Sequence, residues 1–144
     1  MTEQNYANHR RIIPLYHGVL FLVLVLTLIG SGVNLYESLG DHQRMYSASL
    51  ILVLTACTLM LFFFCRIFPL KAQDRAIRAE ENLRHYVLTG KLLDPRLTTL
   101  QIVALRFASD GEFPSLAARA AGENLTPDAI KQAVKAWRAD TYRV

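Results

Sequence analysis

Residues 12–36 contain no Asp, Glu, Lys or Arg, a run of 25 positions, and residues 45–65 contain none either, a run of 21. A helix needs about 20 such residues to cross roughly 30 Å of hydrocarbon, so each run is long enough to span a bilayer. The centre of the first run, residues 19–29, is almost entirely Leu, Val and Ile, with no polar face to turn toward water. Such all-round apolarity belongs to a membrane span rather than to an amphipathic surface helix. A secretory signal would have an apolar stretch of about 7–15 residues before a cleavage site. This run is longer, and a second run follows at once, so it reads as an uncleaved anchor.

The pattern changes after Pro69. Residues 71–87 are a charged amphipathic segment in which Ala72, Ala76, Ala79, Leu83 and Tyr86 follow helical spacing. Asp74 with Arg78, Glu80 with Arg84 and Glu81 with His85 are acid-first pairs four residues apart, the order that supports an exposed helix. Gly90 is a natural stop for this stalk. Asp94-Pro95, or the capping box from Thr98 to Gln101, opens the next helix, with Leu97, Leu100, Ala104 and Phe107 on one face, and residues 109–111 end it. A short helix over residues 114–121 stops at Gly122. Thr126-Pro127 starts the last helix, in which Ile130, Val134, Trp137 and Thr141 share a face.

The predicted fold is therefore all-α: a two-helix transmembrane hairpin, then a stalk helix and a small bundle of short helices. Residues 1–11 form an N-terminal tail, residues 12–68 the hairpin and residues 69–144 the helical domain. The spans cover about 13–36 and 46–66, and the outer loop is 37–44. Arg10 and Arg11 precede the first span, and Arg66, Lys71, Arg75, Arg78 and Arg84 follow the second. The loop has Arg44 alone, against Glu37 and Asp41. The positive-inside rule then places both termini in the cytoplasm. Tyr6, Tyr16, Tyr36, Tyr46 and Phe68 lie near the span ends, where aromatic belts form.

Composition sharpens this picture. The chain has 144 residues, 52% of them hydrophobic and 19% charged, with a net charge of +4. The two charge-free runs carry the apolar excess, and about 80 residues are left after Arg66. That is enough for one small helical unit and too little for a large catalytic fold. Inside the spans, Thr27, Ser31 and Asn34 recur at i, i+4 and i+7 with Gly30 beside them. A stripe of this kind lets membrane helices approach and hydrogen-bond, at roughly 0.6–2 kcal/mol per contact. Its partner is Ser47, Ser49 or Thr55 on the second span, or another protein. No Asp, Glu, Lys or Arg within the spans marks a transport pathway.

Candidate chemistry is sparse. Cys57 and Cys65 are eight positions apart on one helix, about 12 Å along its axis, beyond disulfide reach. His9, His17, His42 and His85 lack metal-site spacing, and no second intramembrane His accompanies His17 as a haem ligand. Asp110 and Glu112 sit at a turn without a nucleophile, which reads as turn chemistry rather than a catalytic pair. No catalytic, metal or cofactor-binding residue is assigned, no cofactor is implied, and the chain is read as no enzyme.

Residues 97–137 also resemble the helix-turn-helix domain of two-component response regulators: an LT start, LR before a Gly turn, an Ala-rich helix, then IKxxV. That resemblance would place Lys131, Gln132, Lys135 and Arg138 in a DNA groove. The connection between its last two helices is about two residues too long, however. From Arg66 onward there are 13 Lys and Arg against 9 Asp and Glu, a weak basic excess for a DNA reader.

A longer resemblance covers nearly the whole chain. The start NYANHRRIIPLYH, the middle LTTLQIVALRFASDGE and the end IKQAVKAWRADTYRV are similar to an uncharacterised bacterial family of small two-span membrane proteins. It implies a protein of the bacterial cytoplasmic membrane and supplies no reaction. Of its motif residues, His9, Tyr16, His17 and Trp137 read as interface or core positions, with Asn8, His9 and Arg10 folding back on the cytoplasmic helices. The functional expectation is a non-enzymatic assembly or accessory subunit that uses its cytoplasmic helices for protein interaction. Its partners would be the lipid bilayer and either its own copies or a larger membrane complex, with no small-molecule substrate. The alternative is a membrane-tethered regulator that binds nucleic acid.

Overall fold

A computed structural model of the chain describes residues 4–9 and 11–140. Among these residues the elements are helical, apart from one isolated antiparallel bridge between Ala108 and Trp137. The chain divides into two compact units, one comprising Ile12–Phe68 and the other Met1–Arg11 with Pro69–Val144.

The first unit holds α1, Leu15–Glu37, whose opening turns, Leu15–Leu20, are widened into a π-helix after Pro14. Pro14 fits there because the first turn has free backbone donors in any case. The connection to α2, His42–Thr89, is short and specific. Gly40 takes φ +98°, open to glycine at little cost, and the Asp41 carboxylate accepts from the Gln43 and Arg44 amides at 3.1 and 3.2 Å. Both helices are long and apolar enough to cross a membrane, with mean hydropathies of 2.3 and 2.5 over their best windows.

Burial in this unit recurs every seven residues. Ser31 on α1, Ser38 just past its end, and Ala48 and Thr55 on α2 are its buried positions. Leu24, Leu28 and Leu35 flank the first pair, and Leu52, Leu59 and Phe62 the second. These positions mark the seam between the two helices. The Tyr16 hydroxyl donates to the Phe62 carbonyl, and the two rings stack with centroids 4.3 Å apart. An antiparallel register set by that pair brings Ser31 level with Ala48, and Leu24 level with Thr55, to within a residue. The buried positions are small, with larger side chains partly buried beside them.

The second unit differs from expectation in four places. The predicted stalk is not a separate helix, because α2 continues through Pro69 to Thr89. Proline removes one amide donor and crowds the preceding turn, yet helix-forming residues on both sides carry the backbone past it. Gly90, at φ +73°, then ends the helix, its amide bonded to the Tyr86 carbonyl at 2.7 Å. The next helix, α3, is Thr99–Leu105. Its start is the reciprocal capping box of Thr98 and Gln101, while Asp94-Pro95 forms the turn before it. Leu97 therefore lies outside the helix, and counting helical register from it fails: Leu97, Ala104 and Phe107 are buried, whereas Leu100 is 58% exposed.

The third difference is α4, Phe113–Glu123, which passes Gly122 and ends at Asn124 in the left-handed region, φ 49°. The fourth is α5, which starts at the Thr126 cap as expected but covers only Pro127–Ala133. From Val134 the backbone is extended, because its groups find partners on the turn after α3. The Ser109 amide donates to the Ala136 carbonyl at 3.0 Å, and the Arg138 amide to the Phe107 carbonyl at 2.7 Å. Trp137 is thus held by a bridge rather than by a helix face; Thr141, expected on the same face, lies outside the described residues. The core gathers Leu105, Phe107, Phe113 and Ile130, all fully buried. Each such side chain contributes about 1.5–3 kcal/mol by leaving water.

Candidate functional site

The helical unit brings its N-terminal segment and C-terminal stretch together. His9 is buried between Phe107 and Trp137, with ring centroids 5.8 and 6.0 Å away, and Phe107 and Trp137 meet at 4.9 Å. His9 Nδ1 is 2.6 Å from the Tyr6 carbonyl, and Nε2 is 3.3 Å from Lys131 Nζ. A carbonyl only accepts, so Nδ1 carries the proton and Nε2 offers its lone pair to the ammonium. The Tyr6 hydroxyl donates to the Asp128 carboxylate at 2.9 Å and accepts from the Gln132 amide at 3.1 Å. Gln4 clips the other end, accepting from the Asp140 amide at 2.7 Å. Residues 4–9 therefore form a strap on the helical unit, while Arg10, expected to fold back with Asn8 and His9, lies outside the described residues.

The four residues proposed for nucleic acid lie in and just after α5. Lys131 and Gln132 lie on α5 and engage the strap through His9 and Tyr6. Lys135 and Arg138 follow the helix. The Lys135 amide donates to Glu112 at 3.1 Å, and the Arg138 guanidinium lies 3.6 Å from Glu81. The four do not share one helix face.

A buried charge network fixes which side of α2 packs inward. Arg84 lies 4.4 Å over the Phe113 ring, donates to Glu81 at 2.8 Å and to the Ala108 carbonyl at 2.7 Å, and pairs with Asp110 at 2.6 Å. Glu81 is only 5% exposed. Arg84 therefore reaches Glu81 and Asp110 rather than Glu80, the partner its spacing suggested. Arg106 pairs with Asp140 at 2.7 Å and lies 4.3 Å over Phe107. A cavity of about 170 Å³ opens between these groups, lined by Ile77, Glu81, Arg106, Arg138 and Asp140 among others. Its cations are met by carboxylates of the same unit. Asp110 and Glu112, the turn carboxylates, are likewise engaged: Glu112 accepts from the amides of Ser109, Lys135 and Ala136 at 3.1–3.4 Å.

At the exposed turn after α2, Arg96 donates to Asp94 at 2.7–3.2 Å from its side chain and 2.9 Å from its amide. These bonds hold the Asp94 carboxyl down at about 2. Among the described residues, no group of three or more His, Cys, Asp or Glu is placed to hold a metal.

In the other unit, Tyr16 packs on Phe62, and His17 lies edge-on to Tyr16 at 5.1 Å with its Nδ1 3.1 Å from the Ile13 amide and carbonyl. Of the small-polar stripe, only Ser31 enters the seam; Thr27, Gly30 and Asn34 are exposed. The Ser31 and Thr27 hydroxyls donate to carbonyls of their own helix at 2.8 and 2.7 Å. Cys57 and Cys65 are free and exposed.

The sequence pattern did not find the inward face of α2. Ile77, Glu81 and Arg84 form it, while the apolar stripe of Ala72, Ala76, Ala79, Leu83 and Tyr86 is exposed, with Leu83 at 63% and Tyr86 at 53%. No apolar pattern marks that face, since Ile77 is its one hydrophobic residue beside Glu81 and Arg84.

Fold and site together define an all-helical protein with two helices apolar enough for a membrane, joined to a compact unit whose polar groups are mutually engaged. The chain belongs to a family described as a family of unknown function (DUF6526), which matches residues 1–144. No curated protein and no solved structure matches it.

Proposed function

We propose that this chain is a non-enzymatic integral protein of a bacterial cytoplasmic membrane, an assembly or accessory subunit whose helical unit serves protein interaction. The observation that carries the reading is burial. Only 6% and 11% of the two apolar windows are buried inside the protein, whereas the core helix of a soluble protein buries most of such a window. Side chains such as Leu22, Leu26, Ile29, Val53 and Leu54, each 58–68% exposed, need hydrocarbon around them. The basic residues flanking the spans place residues 37–44 outside and the strap and helical unit in the cytoplasm. That Arg84, Arg106, Glu81, Asp110 and Asp140 are committed to one another supports a scaffold rather than a catalyst.

The test is purification in mild detergent followed by mass spectrometry of the chains that travel together. Oligomers or a recurrent partner are expected, and a solitary monodisperse monomer refutes the assembly role. Impermeant thiol labelling of a cysteine placed in the 37–44 loop tests the topology. Labelling only from the outside is expected, and labelling from the cytoplasmic side overturns it.

A further inference from the structure

The second half of α2 has two faces, and only one of them is used. Ile77, Glu81 and Arg84 turn into the helical unit, while Ala72, Ala76, Ala79, Leu83 and Tyr86 form an exposed apolar stripe. The intervals of that stripe are 4, 3, 4 and 3, the spacing that places alternate residues at the a and d positions of a coiled coil. We propose that this face docks against the same face of a second copy, the two helices running parallel.

Charge and topology select that occupant. With Ala76 and Leu83 at a, and Ala72, Ala79 and Tyr86 at d, Arg75 takes a g position and Glu80 the following e position. In a parallel pair, g of one helix faces the following e of its partner. Arg75 then meets Glu80 of the other copy, and the two-fold axis gives that pair twice. Both side chains are exposed. Arg84, four residues beyond Glu80, is already taken by Glu81 and Asp110. An antiparallel pair would lose the match. Copies inserted in one bilayer with one polarity present their helices in parallel, and their confinement raises the effective concentration. The stripe has fewer than three heptads, too few to associate strongly in free solution, and that confinement compensates. Alanines at three of the five positions allow close approach. This inference rests on the membrane and assembly reading above, and names the face and the partner.

The experiment uses the full-length chain in native membranes, with Cys57→Ser and Cys65→Ser. Mild oxidation of Ala79→Cys is expected to give a disulfide-linked homodimer, because a d position meets its own copy within disulfide reach in a parallel pair. Arg78→Cys, on the same helix but off the seam, is expected to give much less. Arg75→Glu is expected to reduce the Ala79→Cys cross-link, and adding Glu80→Arg to restore it, a rescue that a merely structural role for either residue would not produce. Leu83→Glu, at an exposed site that leaves the core intact, is expected to shift the protein from dimer to monomer in mild detergent.

An oligomer that persists in Leu83→Glu, with equal cross-linking at positions 78 and 79, overturns this face while leaving the assembly reading standing. Cross-linking of Ala79→Cys to a different chain does the same. A monomer in every variant, with no co-purifying chain, sinks both. Burial of an environment-sensitive dye at position 79 without any homodimer assigns the face to the bilayer surface and overturns the proposal.

Discussion

The two units of this chain bury opposite kinds of side chain. In the helical unit, Leu105, Phe107, Phe113 and Ile130 lie inside and charged groups lie at the surface or in closed networks. In the hairpin, Ser31, Ser38, Ala48 and Thr55 lie inside while Leu, Val, Ile and Phe face out. Both use α-helices, and α2 belongs to both. On the membrane reading proposed above, the difference teaches that burial follows the solvent around each unit. Where water surrounds a unit, large apolar side chains gain by leaving it. Where hydrocarbon does, they gain nothing by turning inward, and the seam is left to residues that let backbones meet.

Substitutions of the same chemistry should therefore have unequal effects in the two units. The largest effect is expected for Phe113→Ala, which opens a cavity beneath Arg84 and should destabilise the helical unit by about 3–5 kcal/mol. Leu26→Ala, on the outward face of α1, should change stability by less than about 1 kcal/mol. Chemical unfolding of full-length protein in nanodiscs checks the pair, and equal losses would erase the distinction. Next in size is Glu81→Ala, which takes from Arg84, at 11% side-chain exposure, one of its two carboxylate partners and should cost about 2 kcal/mol. Glu80→Ala, one position away but exposed, should be close to neutral in the same assay.

Ser31→Leu overfills the hairpin seam and is expected to cost about 1–3 kcal/mol, while Thr27→Leu, facing outward, should leave the hairpin intact. Steric trapping of the hairpin in bilayers reads this difference. The smallest effect is expected at Asp94. Its folded value, about 2, lies below the ordinary 3.8, so the charged form is favoured by folding. That contribution is fully present above about 3.8 and is lost as pH falls through about 2. Asp94→Asn should remove it, and the unfolding midpoints of the two proteins should converge only at the acid end.

The two apolar helices follow from the sequence alone, because runs of 25 and 21 positions without Asp, Glu, Lys or Arg are long and apolar enough for helices of that length. Their seam does not. Ser31 and Thr27 look alike in sequence, and only the register set by Tyr16 against Phe62 separates inward from outward. In the helical unit, local chemistry placed the starts at Thr98 and Thr126 and the stop at Gly90. The end of α5 was hidden because Val134 and Trp137 continue a helical spacing. The competing bonds come from Phe107, Ser109 and Glu112, more than 20 residues away. The inward face of α2 was hidden for a similar reason: an apolar stripe is read as the packed side, and here a guanidinium network is packed instead. His9, Phe107 and Trp137 come from the start, middle and end of the chain and meet as one aromatic cluster.

The claim on which the rest depends is that the hairpin's outward face lies in hydrocarbon. A nitroxide at Leu54→Cys, in full-length protein lacking Cys57 and Cys65 and reconstituted in bilayers, measures this directly through collisions with oxygen and with a water-soluble nickel chelate. High oxygen and low nickel accessibility is the expected result, and the reverse order would contradict the account.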